Sequence, residues 1–377
     1  RDLHYPLRRQ RQMCIRDRPN GLRLVTSAMP QTRSVAINIF VGSGSRYEKT
    51  EEAGMSHFIE HVCFRGTKKR PSAAEICSAI EGTGGMLNAG TDKELTTYYC
   101  KVADPFWASS LDVMTDIITN PTFPEPEIEK ERQIIIEEIN QTLDTPSQRV
   151  GMLLDEIMWP DHPLGRDIAG YRETVSGMSR EKLLTHLHHE YQPSNTVIAI
   201  AGNIDEDEVA AELDRLLGNW QPGPYRRGFE PYRKTPGRVV KIERRKTEQT
   251  QLCLALPALS VLDPDRFKIG ILNTILGEGM SSRLFTRIRD ELGLAYSIHS
   301  YPEYFLDTGA LTISAGVENG TLKKAVTAIL KELAMVNETT IEDLVRLARR
   351  LFVSDELRLA VVGPVNPRES LEDLLEL

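Results

Sequence analysis

The chain has too few cysteines, too irregularly placed, for a disulfide framework: five in all, Cys14, Cys63, Cys77, Cys100 and Cys253, with no CxxC pair. This odd, scattered set argues against a small secreted scaffold and for a reducing compartment, read here as the cytoplasm. Long apolar runs are missing as well. The run Val35 to Val41 is interrupted by Asn38 and falls far short of the about 20 residues a membrane-spanning helix needs. No membrane partner is expected. Basic residues are in deficit, 46 Lys and Arg against 54 Asp and Glu for a net charge of −8. This argues against a nucleic-acid partner, because phosphate binding needs a surplus of Lys and Arg on one face. Basic peptides are attracted instead, weakly at physiological salt. Residues 1–18 hold six Arg and no apolar h-region, so they are no signal peptide. The run Arg11 to Arg18 reads as foreign, adapter-like sequence, and 1–18 is set aside as a non-native or disordered leader. A mitochondrial presequence, and hence the matrix, is the alternative.

What is present fits a soluble globular protein: 377 residues, 40% hydrophobic and 27% charged, enough for two domains with separate cores. The chain is organised around His57-Phe58-Ile59-Glu60-His61, with no Gly or Pro between Met55 and Arg65 to interrupt a helix. On a helix, His57, Glu60 and His61 share one face. Two imidazoles one turn apart bind zinc, and a neighbouring carboxylate takes a proton from water that the metal has acidified. This HxxEH order is the inverse of HExxH. A solvated polar face is the bland alternative. The apolar flanks Phe58, Ile59, Val62 and Phe64 argue for a buried helix, in which such groups are costly without a partner.

Around this stretch, Leu22 to Ala28 and Val35 to Val41 read as neighbouring strands, and residues 73–81 as a helix capped by Ser72. Gly84-Gly85 leads into a hairpin over Met86 to Val102. Residues 105–120, 125–142, 148–158 and 179–190 read as helices, and Thr196 to Gly202 as a buried strand. The stretch 222–237, rich in Pro, Gly and Arg, reads as a linker. Beyond it the order of elements repeats. Val239 to Glu243 and Thr250 to Leu256 echo the opening strands, Arg266 to Leu276 the motif helix, Tyr296 to Ser314 the hairpin, and Leu357 to Gly363 the closing strand. The second copy lacks HxxEH. It is also shorter, with 113 positions from Thr250 to Gly363 against 167 from Val35 to Gly202. The expected fold is therefore α+β, two homologous domains each with a mixed, mostly antiparallel sheet flanked by helices. They span 19–221 and 238–377, the second shortened between Met335 and Ile341.

Several ordered stretches carry a family resemblance: HFIEH at 57–61, GGMLNAGTDKELTTYY at 84–99, Glu137-Glu138, HPLG at 162–165 and SSRLFTRIRDELGLAYSIHS at 281–300. The sequence resembles the pitrilysin/insulinase zinc metallopeptidases, within them the mitochondrial processing peptidase branch and its bacterial relatives, over Asn20 to Val365. The resemblance implies α/β-roll domains that close as a clamshell and one zinc per chain. It also implies a third zinc ligand about 76 positions after the second motif His, which falls on Glu137. Glu138 is then left as a solvated or capping carboxylate. Without the resemblance, Glu127, Glu129, Glu131, Glu137 and Glu138 are equivalent candidates.

The resemblance further implies that substrate binds as an added strand along Leu87, Asn88 and Ala89. Arg289 and Tyr296, with Phe285 one turn before Arg289, would serve substrate binding and the oxyanion; core packing is the bland reading for Phe285 and Tyr296. Glu60 is the general base. The expected partner is a homodimer mate or an inactive homologous subunit. The functional expectation is a zinc endopeptidase for short or unfolded peptides, the rival being a catalytically idle scaffold of the same family. His186, His188 and His189 read as a solvated helix end, since adjacent residues do not share a helix face.

Overall fold

The computed structural model describes residues 13–223, 228–336, 342–366 and 370–377. The chain divides into two compact units, one formed by the chain up to Ile139 and Asp167–Phe229, the other by Asn140–Arg166 and Glu230–Leu377. In chain order the elements are β1 (Cys14–Asp17), β2 (Arg23–Ala28), β3 (Ser34–Val41), α1 (Met55–Cys63), α2 (Ala73–Glu81), β4 (Met86–Thr91), β5 (Thr96–Ala103), α3 (Trp107–Thr119), α4 (Glu125–Asp144), α5 (Pro146–Met158), α6 (Arg172–Ser176), α7 (Arg180–Glu190), β6 (Thr196–Gly202) and α8 (Glu206–Leu217). There follow β7 (Val239–Arg244), β8 (Gln249–Ala258), α9 (Arg266–Leu276), a π-helical stretch Phe285–Glu291, β9 (Ala295–Tyr304), β10 (Gly309–Glu318), α10 (Leu322–Val336), α11 (Glu342–Leu351) and β11 (Arg358–Gly363).

The two sheets have one topology. The first runs β1-β2-β6-β3-β5-β4 and the second β7-β11-β8-β10-β9, so without β1 each strand of the first has its counterpart in the second. The senses agree too: β2 with β6 and β7 with β11 are parallel, and the remaining neighbours are antiparallel. The repeat read in the sequence is thus a repeat of fold. Both copies close on glycine for a steric reason. A Cβ on Gly202 would sit 2.2 Å from the Ser34 carbonyl, and one on Gly363 2.7 Å from Thr250 Oγ1, contacts no side chain tolerates.

Alternation sets the burial of the first sheet, where Val35, Ile37, Ile39 and Val41 of β3 face the core with Ile198 and Ile200 of β6, while intervening residues are half-buried. The second sheet is covered on both faces. Leu252, Leu254 and Leu256 pack with α9, α10 and α11, and Cys253, Ala255, Ala360 and Val362 with Val150, Leu153, Leu154 and Ile157 of α5. Burial on both faces is why these strands read as continuous apolar runs.

Three expectations change. The domain span 19–221 includes 140–166, which belong to the second unit, because α5 finds its apolar partners on the second sheet. Within the leader 1–18, Cys14–Asp17 is a strand paired antiparallel with β2. It is held by ion pairs from Arg16 to Asp207 (2.6 Å) and Arg18 to Asp214 (2.8 Å), so those residues belong to the fold; residues 1–12 lie outside the described ones. Helix α8, not anticipated, supplies both acidic partners. The described parts of the linker, 222–223 and 228–237, carry no regular element, and of the place assigned to the shortening, between Met335 and Ile341, residues 337–341 lie outside the described residues.

Candidate active site

Helix α1 is fixed first at its start. Gly54 holds a left-handed φ of +93°, and a Cβ there would lie 2.4 Å from the Ala169 carbonyl. The buried carboxylate of Glu48 accepts from the backbone N–H groups of Gly54 (2.8 Å) and Ser56 (2.6 Å), placing negative charge at the positive end of the helix dipole. Sequence reading gave Glu48 no role, since an acceptor nine residues before the motif carries no periodic signal. Phe58, Ile59, Val62 and Cys63 are fully buried, which turns His57, Glu60 and His61 to the opposite face.

That face meets α4. His57 Nε2 and His61 Nε2 stand 3.2 Å apart, and one oxygen of Glu138 lies 3.8 Å from the first and 3.7 Å from the second. His57, His61 and Glu138 are the one metal-competent group of this kind among the described residues. The structure thus brings Glu138 to the two imidazoles, where the sequence reading expected Glu137. Adjacent helical residues differ by about 100° in direction, and it is position 138 that shares a face with Glu131, seven residues earlier. Glu131, 1% exposed, accepts from His61 Nδ1 at 2.9 Å and pairs with Arg65 at 2.6 Å. A carboxylate is acceptor-only, so the Nδ1 proton is fixed and His61 Nε2 keeps its lone pair for a ligand role.

The donor set fits zinc. Ligand atoms around a tetrahedral zinc at about 2.0–2.2 Å stand about 3.3–3.6 Å apart, close to the separations seen. Without a cation, His57 would have to donate to His61 across the 3.2 Å gap; its buried Nδ1 has no partner in either state. A cation takes both Nε2 lone pairs at once. Burial, reinforced by His61, pushes the His57 pKa down to about 3, keeping it neutral as a metal ligand must be. At His61 burial acts in the same direction but is outweighed by Glu131, Glu138 and Glu60, and the pKa is raised. Burial raises that of Glu60, against the opposing pull of His61 and Thr91. Glu60 Oε2 accepts from Thr91 Oγ1 at 3.0 Å.

Thr91 ends β4, the outer strand of its sheet. The expected substrate strand Leu87, Asn88 and Ala89 therefore pairs with β5 on one side and is an edge on the other. In the second unit the Arg289 guanidinium lies 4.4 Å from the Phe285 ring and 5.2 Å from that of Tyr296. The structure thus brings those three predicted residues together. Tyr296 is 78% exposed, so it is not a core tyrosine. His186, His188 and His189 lie on α7, with His189 Nδ1 2.9 Å from Glu190.

Residues 23–172 match the family model "Insulinase (Peptidase family M16)", and 177–351 match "Peptidase M16 inactive domain". The chain belongs to peptidase family M16. Among M16 relatives, it is 38% identical to an uncharacterized zinc protease of Bacillus subtilis over 90% of this chain and 79% of that protein. It is 37% identical to one of Streptomyces coelicolor over 86% and 72%. A protease from Helicobacter pylori matches with a TM-score of 0.88 at 18% identity, covering 94% of this chain and 99% of that one. A peptidase M16 inactive domain from Pseudomonas fluorescens matches at 0.81 and 17%, covering 96% and 100%. These likenesses support a zinc metallopeptidase at family level and the M16 fold in both units.

Proposed function

We propose that the chain is a zinc endopeptidase acting on short or unfolded peptides, with one zinc held by His57, His61 and Glu138. The observation that carries this is the convergence of two imidazole nitrogens and a carboxylate oxygen within 3.8 Å beside Glu60 on the same helix face. A bound zinc supplies Lewis acidity and lowers the pKa of a coordinated water. Glu60 accepts the water proton and later delivers it to the leaving amine, while Glu131 holds the His61 ring in register. The open edge of β4 takes the peptide as an added strand through backbone hydrogen bonds, which tolerates varied sequences. Arg289 and Tyr296 steady the oxyanion, and Phe285 contacts substrate. We place the protein in the bacterial cytoplasm, as a homodimer or paired with an inactive homologue. Five free thiols and bacterial relatives support the compartment.

The test is Glu60→Gln. The amide keeps the shape but accepts no proton, so zinc content should stay at wild-type level while cleavage of a quenched basic peptide is lost. A variant with full turnover would overturn the role of Glu60. The second copy, shorter by more than fifty positions between matched landmarks, favours one rival, a catalytically idle scaffold or partner subunit. Turnover by the wild type decides against it.

A further inference from the structure

We infer that Thr91 is a positioning residue for Glu60, fixing the carboxylate from the same strand that would receive the peptide; this rests on the peptidase reading above. Three observations support it. Thr91 Oγ1 donates to Glu60 Oε2 at 3.0 Å. The exposure pattern along β4 alternates, with Leu87, Ala89 and Thr91 on the more buried face. Thr91 itself pairs with Thr96 at the hairpin end of the ladder to β5, so its backbone is anchored.

A glutamate on a helix has three side-chain torsions, the last of them broad, and by itself samples many carboxylate orientations. A threonine in a strand is stiff at χ1. The hydroxyl therefore acts as a fixed point that engages Oε2 and turns the other oxygen toward the reacting water. Because Thr91 lies on the edge strand, a peptide added to that edge braces the anchor of the base as it binds. Zinc binding has no need of this contact, since neither His57, His61 nor Glu138 is hydrogen-bonded by Thr91.

The experiment compares Thr91→Val, which removes the donor and keeps the branched shape, with Thr91→Ser, which keeps the hydroxyl. Zinc per chain, kcat and KM on a quenched peptide, and crystal structures of the zinc-loaded wild type and Thr91→Val are measured. We expect Thr91→Val to hold wild-type zinc and KM and to lose about 10- to 100-fold in kcat, the range for one hydrogen bond to a charged group. Thr91→Ser should recover most of that loss, and in crystals of Thr91→Val the Glu60 carboxylate should turn from its wild-type orientation. Wild-type kcat in Thr91→Val, a loss in KM alone, reduced zinc, no rescue by Ser, or an unmoved Glu60 would each overturn the inference. If the wild type itself cleaves no peptide the peptidase reading fails, and the Glu60 orientation in the two crystals still decides the positioning role.

Discussion

Replacing Glu131 by Gln removes a charge from behind the metal site without touching a proposed ligand. The carboxylate is 1% exposed and serves two partners, His61 Nδ1 at 2.9 Å and Arg65 at 2.6 Å. The amide retains an acceptor oxygen, but its NH₂ group replaces the second one, so one partner is lost and the imidazole becomes less basic. Loss of an outer-shell carboxylate typically costs about 10- to 100-fold in metal affinity, or about 1.4–2.7 kcal/mol. Arg65 is a third exposed, so stranding it should cost less than a fully buried charge would, about 1–2 kcal/mol of apo stability. Competition with a chromophoric chelator gives the zinc affinity, and chemical denaturation of the apo protein gives the stability. Wild-type zinc affinity together with lowered apo stability would refute the reasoning, because Glu131 would then serve Arg65 and the fold alone.

Three further outcomes are expected. Glu138→Gln should lower zinc occupancy and Glu137→Gln should not; the reverse result, by metal analysis, would restore the sequence-based assignment. Deleting residues up to Arg18 should lower the melting temperature by removing β1 and three ion pairs, Arg16–Asp207, Arg18–Asp214 and Arg23–Asp17, each worth up to about 1 kcal/mol, and an unchanged melting curve would show that β1 adds nothing. Burial holds the His186 pKa down to about 4, so the unfolded chain binds its proton more readily. The stability contributed is present above about 6.5 and is lost as pH falls toward 4, at most about 3 kcal/mol. As pH falls from about 6.5 to 4, wild-type stability should drop relative to His186→Gln, and parallel curves would exclude the effect.

The motif helix and the repeated order of elements were legible because each is written in local periodicity or in an internal echo, whereas the grouping of Phe285, Arg289 and Tyr296 came from the family resemblance. Glu137 and Glu138 were not separable, since the choice depends on the angular register of α4 against α1, and a one-residue offset turns the side chain by about 100°. Glu48, Thr91 and Glu131 lie 8, 31 and 70 positions from their partners, separations at which sequence pattern carries no signal. Helix α5 misled for the opposite reason: it follows α4 in the chain, yet its apolar face matches the second sheet. The strand Cys14–Asp17 was hidden by the arginines in and beside it, Arg16 and Arg18, which are half-buried and paired to α8.

The most direct test of a zinc peptidase is to measure metal and turnover on one preparation. Protein purified after growth with zinc should contain about one zinc per chain and cleave a quenched basic peptide. Both properties should disappear on chelation and return together when zinc is restored. Zinc near zero in folded protein, or full occupancy with no cleavage of any unfolded peptide, would contradict the account.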